Sequence, residues 1–252
     1  MTTLGSYNPG NLKVLLLGPS GSGKTCLATS LGARAVVLDA NAGLASAQSL
    51  QDAFHDQRQL CEVKQCWGPG GPGVMWKKLV GYINSYAQTP PVDRPALVID
   101  SLSDLAEASL GSVLQLKNKW DETDPPNTTM GEWGTAISQV QRILWTLKSI
   151  PALVVVCGHT KLIEQDGVSK EALSIYGKAL PGQIAATFDE IWYLKTSGYG
   201  DKRKRFIQSQ STGGIECKTR RQLPESSDLS LGLEGLLGLI GWKFPASGEV
   251  KT

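Results

Sequence analysis

The sequence contains no apolar run approaching the roughly 20 residues that a membrane-spanning helix needs. Its opening residues, MTTLGSYNPGN, lack the basic-then-apolar pattern of a secretory signal. A cytoplasmic protein with no membrane partner is therefore expected. Excess charge is also missing. A net charge of +2 does not by itself announce nucleic acid, so a nucleic-acid partner must be argued from local clusters. Cysteine is scarce: five residues, an odd number at irregular spacing, do not read as a disulfide framework. His55, Cys61 and Cys66 form no compact ligand pair and have no evident fourth ligand, so buried or half-buried thiols are expected rather than zinc.

What is present suits one large domain with a buried core. Five apolar runs, residues 13–17, 35–38, 96–99, 153–157 and 191–194, show no polar alternation. Such runs fit parallel strands covered on both faces. Between them Trp133, Ile137, Val140, Leu144 and Leu147 fall on one helical face, as do Met75, Leu79, Ile83 and Tyr86, and a third helix is expected over 102–116. The alternation predicts an α/β fold with a mostly parallel central sheet and flanking helices.

Several stretches break the rhythm. Residues 68–73, GPGGPG, form a turn-rich connector. Residues 117–132 and 160–183 read as long polar insertions, a length at which loops are functional or disordered. A basic, hairpin-like segment follows residue 196. Beyond it Gly232, Gly235, Gly238 and Gly241 recur among leucines. Each glycine weakens a helix by roughly 1 kcal/mol, so this tail is expected to need a partner surface. The expected organisation is a flexible segment over 1–12, a core over 13–229 and a Gly/Leu-rich tail over 230–252.

The strongest local signal is GPSGSGKT, residues 18–25, set between an apolar strand and a helix-forming run. Glycines in such a loop let backbone N–H groups turn towards phosphate oxygens, and the helix start adds its positive end. Candidate nucleotide contacts are Gly18, Pro19, Ser20, Gly21, Ser22, Gly23, Lys24, Thr25 and Cys26. Lys24 would reach the β and γ phosphates from a solvent-facing position, and Thr25 would offer its hydroxyl to Mg2+. Asp100 ends the run PALVID, a strand-helix-strand-helix interval after the loop. An acid there can hold Mg2+ through water. The interval places another strand between the two motifs. His159, at the end of LVVVCGH, would face the γ-phosphate and report nucleotide state, or serve as a satisfied structural histidine.

These pieces, in this order, resemble the RecA/RadA-like P-loop ATPases, and especially the phage single-strand-annealing recombinase group. The motifs are GPSGSGKT, VVLDANAGL, LVIDS, VVCGHTK, LPGQIAATFDEIWYL and CKTRR, which together run from residue 13 to about 229. The resemblance implies ATP and Mg2+ as cofactors, and a homo-oligomer, filament or ring, with ATP at subunit interfaces. It also implies that Lys218 and Arg220 reach a neighbour's γ-phosphate, although a solvated basic strand end is the alternative. Single-stranded DNA would be the partner, bound through the two insertions by Lys117, Lys119 and Trp120 in the first and Lys161, Lys170 and Lys178 in the second. The run Lys202, Arg203, Lys204 and Arg205 could extend that track or be a solvated hairpin tip.

One departure bears on the chemistry. Similar proteins carry Asp-x-Glu after the second strand, the glutamate orienting the attacking water, whereas this chain has Asp39-Ala40-Asn41. Asparagine can hydrogen-bond a water but cannot take its proton. The resemblance therefore implies nucleotide binding more securely than rapid hydrolysis, with a helix cap as Asn41's other reading. The expected function is an ATP-dependent, single-stranded-DNA-binding recombination protein that promotes annealing or strand pairing. An ATP-gated, weakly hydrolysing DNA-binding module is the alternative, and a small-molecule kinase is disfavoured by the separated motifs.

Overall fold

The five apolar runs lie side by side in one sheet. The computed structural model describes residues 11–44, 61–91, 94–121, 127–165, 167–176, 180–198, 204–212 and 214–244. The strands are β1 (Leu12–Gly18), β2 (Ala35–Asp39), β3 (Glu62–Gln65), β4 (Ala96–Asp100), β5 (Leu153–Gln165), β6 (Val168–Leu173), β7 (Glu190–Ser197), β8 (Lys204–Gln208) and β9 (Ser226–Asp228). The sheet order is β3-β2-β4-β5-β1-β7-β8-β9, with β6 paired to β5. Strands from β3 to β7 along that order are parallel, while β6, β8 and β9 pair antiparallel. The helices are α1 (Lys24–Thr29), α2 (Gly71–Gln88), α3 (Leu102–Leu116), α4 (Met130–Ser149), α5 (Leu180–Thr187) and α6 (Gly232–Leu239).

The unbroken apolar runs follow from cover on both faces. Leu15 and Leu17 join one core cluster with Leu79 and Ile83 of α2, Leu105 of α3 and Leu144 of α4. Leu12, Val14 and Leu16 point the other way, into a second cluster with Leu27 of α1 and Leu236 of α6. Alternate side chains of β1 thus enter two different cores, and the one buried charge on the strand, Lys13, is met by the carbonyls of Ile150 and Ala152.

Helix starts are written locally. Thr129 caps α4 through a full capping box: its hydroxyl accepts from Glu132 N, and Glu132 accepts from Thr129 N at 2.7 Å. Ser101 caps α3. The GPGGPG turn leads into α2, where Pro72 occupies the first turn and packs so closely on α3 that a Cβ at Gly111 would lie 2.4 Å from it.

Two expectations are revised. The insertion over 160–183 is not a loop: β5 runs on to Gln165 and turns into β6, pairing Thr160 with Leu173 and Ile163 with Lys170, and α5 follows. Polar alternation on a projecting hairpin carries no apolar run, so its strands escape a search for buried ones. The glycine-leucine tail finds its surface within the chain. Leu233, Leu236, Leu237 and Trp242 are buried, Leu233 N donates to Ser30 Oγ at 2.9 Å, and Arg34 Nη1 donates to Glu234 Oε1 at 2.7 Å. The helix that begins at the phosphate loop and the tail are therefore one packing unit. Leu236→Ala should lower global stability by about 2–5 kcal/mol in urea denaturation; an independent appendage would leave the midpoint unmoved.

Candidate functional site

Parallel register brings the chemistry to one edge. Gly18 stands opposite His159, Asp39 opposite Asp100, and Asp100 opposite Cys157. The carboxyl ends of β1, β2 and β4 therefore open, beside the middle of β5, into one crevice, where α/β sheets bind ligands. Gly18 tolerates no side chain, because a Cβ there would meet the Leu194 carbonyl oxygen at 2.9 Å. The chain then wraps through residues 19–23 into α1.

Lys24 departs from expectation. Only 4% of it is exposed, and its ammonium donates to the carbonyls of Gly18 at 2.8 Å and Pro19 at 2.9 Å. The loop closes on its own lysine, and burial lowers the lysine's pKa from the ordinary value. Thr25 Oγ1 donates to Asp100 Oδ2 at 2.6 Å. Asp100 is buried, and that burial raises its carboxyl pKa against the opposing pull of the Thr25 hydrogen bond and the Lys24 charge. The hydroxyl and carboxylate are hard oxygen donors placed together, a set that fits Mg2+. Ser22 Oγ, within the loop, is buried without a hydrogen-bond partner among the described residues, as a donor reserved for a ligand would be.

On the far side of Asp100 lies a group that the sequence reading missed. Asp104, in the first turn of α3, accepts through Oδ2 from Ser101 Oγ and from Asn41 Nδ2, the latter at 3.3 Å. His159 Nε2 stands 3.9 Å from the same oxygen. Burial, and then the Lys24 charge, push the His159 pKa below its usual value, so the imidazole is neutral at pH 7. Asn41 is engaged at both ends, since its Oδ1 accepts from Gly43 N at 2.7 Å. It closes a short turn rather than capping a helix within the described residues. The signal for Asp104 was its position, one helical turn beyond Asp100.

A sequence profile for an AAA domain matches residues 10–221. The chain belongs to the AAA domain family. No curated protein matches it. Among solved structures, the KaiC-like protein PH0186 of the hyperthermophilic archaeon Pyrococcus horikoshii OT3 is similar over 84% of this chain and 83% of that one, at 12% identity and a TM-score of 0.43. The flagellar accessory protein FlaH of Methanocaldococcus jannaschii is similar over 85% and 89%, at 10% identity and a TM-score of 0.40. In this AAA domain β5 lies between the loop strand β1 and the acid-bearing β4.

The structure describes most of the remaining candidate residues of this AAA domain. Lys178, Lys202 and Arg203 lie outside the described residues. Lys161 and Lys204 are exposed and Lys170 is half-buried. Arg205 instead leans on the phosphate loop, where a Cβ at Gly23 would meet its Cδ at 3.2 Å, and its Nε is buried without a hydrogen-bond partner among the described residues. Gly23 has a φ of 101°, so glycine there serves both the turn and the approach of this arginine. Lys117 and Lys119 are ion-paired to the buried Glu132 at 3.3 and 2.8 Å, and Trp120 packs beside Gly71 and Gly111.

Lys218 and Arg220 sit at the opposite end of β7 from the loop. The Lys218 ammonium donates to the carbonyls of Ala185 at 3.0 Å and Phe188 at 2.6 Å, closing the end of α5 in its own subunit. Arg220 pairs with Asp189 at 2.9 Å and keeps much of its side chain exposed. The Phe-Asp-Glu-Ile motif now has a physical reason. Asp189 accepts from Lys13 N at 3.0 Å, and the buried Glu190 accepts from the backbone of Arg220 and Arg221 and from Trp192 Nε1.

Lys119, the Thr129 backbone and Lys117 hold the Glu132 carboxyl down at about 2, below its ordinary 4.5. Because the folded pKa lies below the unfolded one, the stabilisation is complete above about 4.5 and disappears as pH falls towards 2. Glu132→Gln should therefore be less stable than the unmodified chain at pH 7, the gap narrowing across that window in urea titrations.

Proposed function

We propose that this AAA domain binds and hydrolyses Mg2+-ATP at the crevice between β1 and β4, and that it acts as a homo-oligomer on single-stranded DNA to promote annealing or strand pairing. The Thr25–Asp100 hydrogen bond carries the nucleotide reading. It places a hydroxyl and a carboxylate together beside a buried lysine ammonium, the donor set for a metal-bound polyphosphate. Thr25 and Asp100 would hold Mg2+, which neutralises charge on the phosphate oxygens when bound. Lys24 exchanges its two carbonyl partners for phosphate oxygens, Ser22 gains a partner, and Arg205 adds a cation from β8. His159, neutral and midway along β5, hydrogen-bonds to the terminal phosphate.

Lys24→Ala should weaken affinity for an ATP analogue about 10–100-fold, the worth of a hydrogen bond to a charged group, with unchanged far-ultraviolet circular dichroism. Affinity within twofold of the unmodified chain in calorimetric titration overturns the assignment.

The DNA reading rests on the exposed cations of the β5–β6 hairpin and of β8. Lys117 and Lys119 contribute only by leaving Glu132. Arg220, exposed and remote from its own loop, is the residue offered to a neighbouring subunit's nucleotide. Lys161→Ser combined with Lys204→Ser should lower single-strand affinity and reduce the salt slope by about 0.7 for each lost phosphate contact. An unaltered slope in fluorescence titrations removes both residues from the footprint. The second reading, an ATP-gated DNA-binding module with slow turnover, is favoured by Asn41, whose amide is bound at both ends within the protein. Single-turnover hydrolysis with and without DNA separates the two.

A further inference from the structure

The position where the RecA/RadA-like resemblance implies a water-orienting glutamate carries Asn41, yet the crevice is not short of a carboxylate. Asn41 Nδ2 points at Asp104 Oδ2 across 3.3 Å, and His159 Nε2 approaches the same oxygen to 3.9 Å. These three side chains come from different elements, the turn after β2, the first turn of α3 and the middle of β5, and converge beside the Thr25–Asp100 pair. The Asp104 side chain is a quarter exposed, so it opens to the crevice rather than being sealed in the core.

Its local bonds do not require a charge. Ser101 Oγ caps α3 by accepting from Asp104 N, a backbone contact that any residue at 104 provides. An acid in a helix's first turn adds little to the stability of the helix. That leaves the carboxylate itself, with Asn41 as a fixed donor to it, to be accounted for.

We propose that Asp104 is the general base for ATP hydrolysis, supplying from α3 the carboxylate that position 41 lacks, with Asn41 as the positioning residue. The oxygen of a water held by Asp104 attacks the γ-phosphorus while one of its protons passes to an Asp104 carboxylate oxygen. The bond from the γ-phosphorus to the bridging oxygen breaks, and its electron pair leaves with ADP.

The inference rests on the nucleotide assignment above, and affinity separates the two. If the unmodified chain binds no ATP analogue, that assignment fails. Given binding, Asp104→Asn should slow single-turnover hydrolysis about 10²–10⁴-fold, the usual contribution of a general base, with analogue affinity within threefold. Adding Asn41→Glu to Asp104→Asn should restore at least tenfold of the loss, because a glutamate at 41 reaches the same water from the opposite wall. A purely structural aspartate would not be rescued in this way. Four results overturn the proposal: bound ATP that the unmodified chain never turns over, Asp104→Asn turnover within threefold of the unmodified chain, a parallel loss of affinity, or a double variant no faster than Asp104→Asn.

Discussion

The hydrogen bond from Thr25 to Asp100 spans two strand positions, from the helix that follows β1 to the end of β4, with β5 between them. Adjacent strands are about 4.8 Å apart, so the bond forms only because α1 leans over β5 and the side chain beneath it is small. That residue is Cys157, fully buried and opposite both Asp100 and Leu16. A larger residue at 157 would force the loop helix away from β4. The loop, the tail packed behind α1 and the crevice all follow from this one close approach.

Desolvation makes the same corner electrostatically taut. Burial raises the Asp100 pKa and lowers that of Lys24, while each group's charge favours the charged form of the other. Buried opposite charges contribute little net stability, but removing one strands its partner. The loop is thereby held in a single closed geometry by its own carbonyls, and a polyphosphate enters by exchange of partners.

What the sequence made legible was local. The five apolar runs became β1, β2, β4, β5 and β7, because cover on both faces leaves a composition signal within each strand. The stripe from Met75 to Tyr86 became the buried face of α2, and the stripe from Trp133 to Leu147 that of α4, with Trp133 set against Tyr176 at a centroid distance of 4.9 Å. Gly18 to Thr25 and Asp100 were readable because spacing along the chain encodes them. Partnerships across long separations were not. Nothing near Lys117 and Lys119 announces that Glu132 will pair with both, and nothing near Arg205 announces Gly23, 182 positions earlier in its influence on the turn. Asp104 escaped because an acid in a helix's first turn is ordinary, and only the fold brings Asn41 against it.

The buried Glu132 changes what ion exchange means for the loop after α3. A lysine that moves from solvent to a DNA phosphate displaces a condensed cation into bulk, and the mixing entropy of that cation drives binding. Lys117 and Lys119 start from a fixed protein anion. If they moved to DNA, the abandoned carboxylate would need a new partner, so a cation or a proton would be taken up as another was released. Two lysines would displace two condensed cations while the single carboxylate they leave takes up one, so the salt sensitivity of this loop would be about half that of two lysines drawn from solvent.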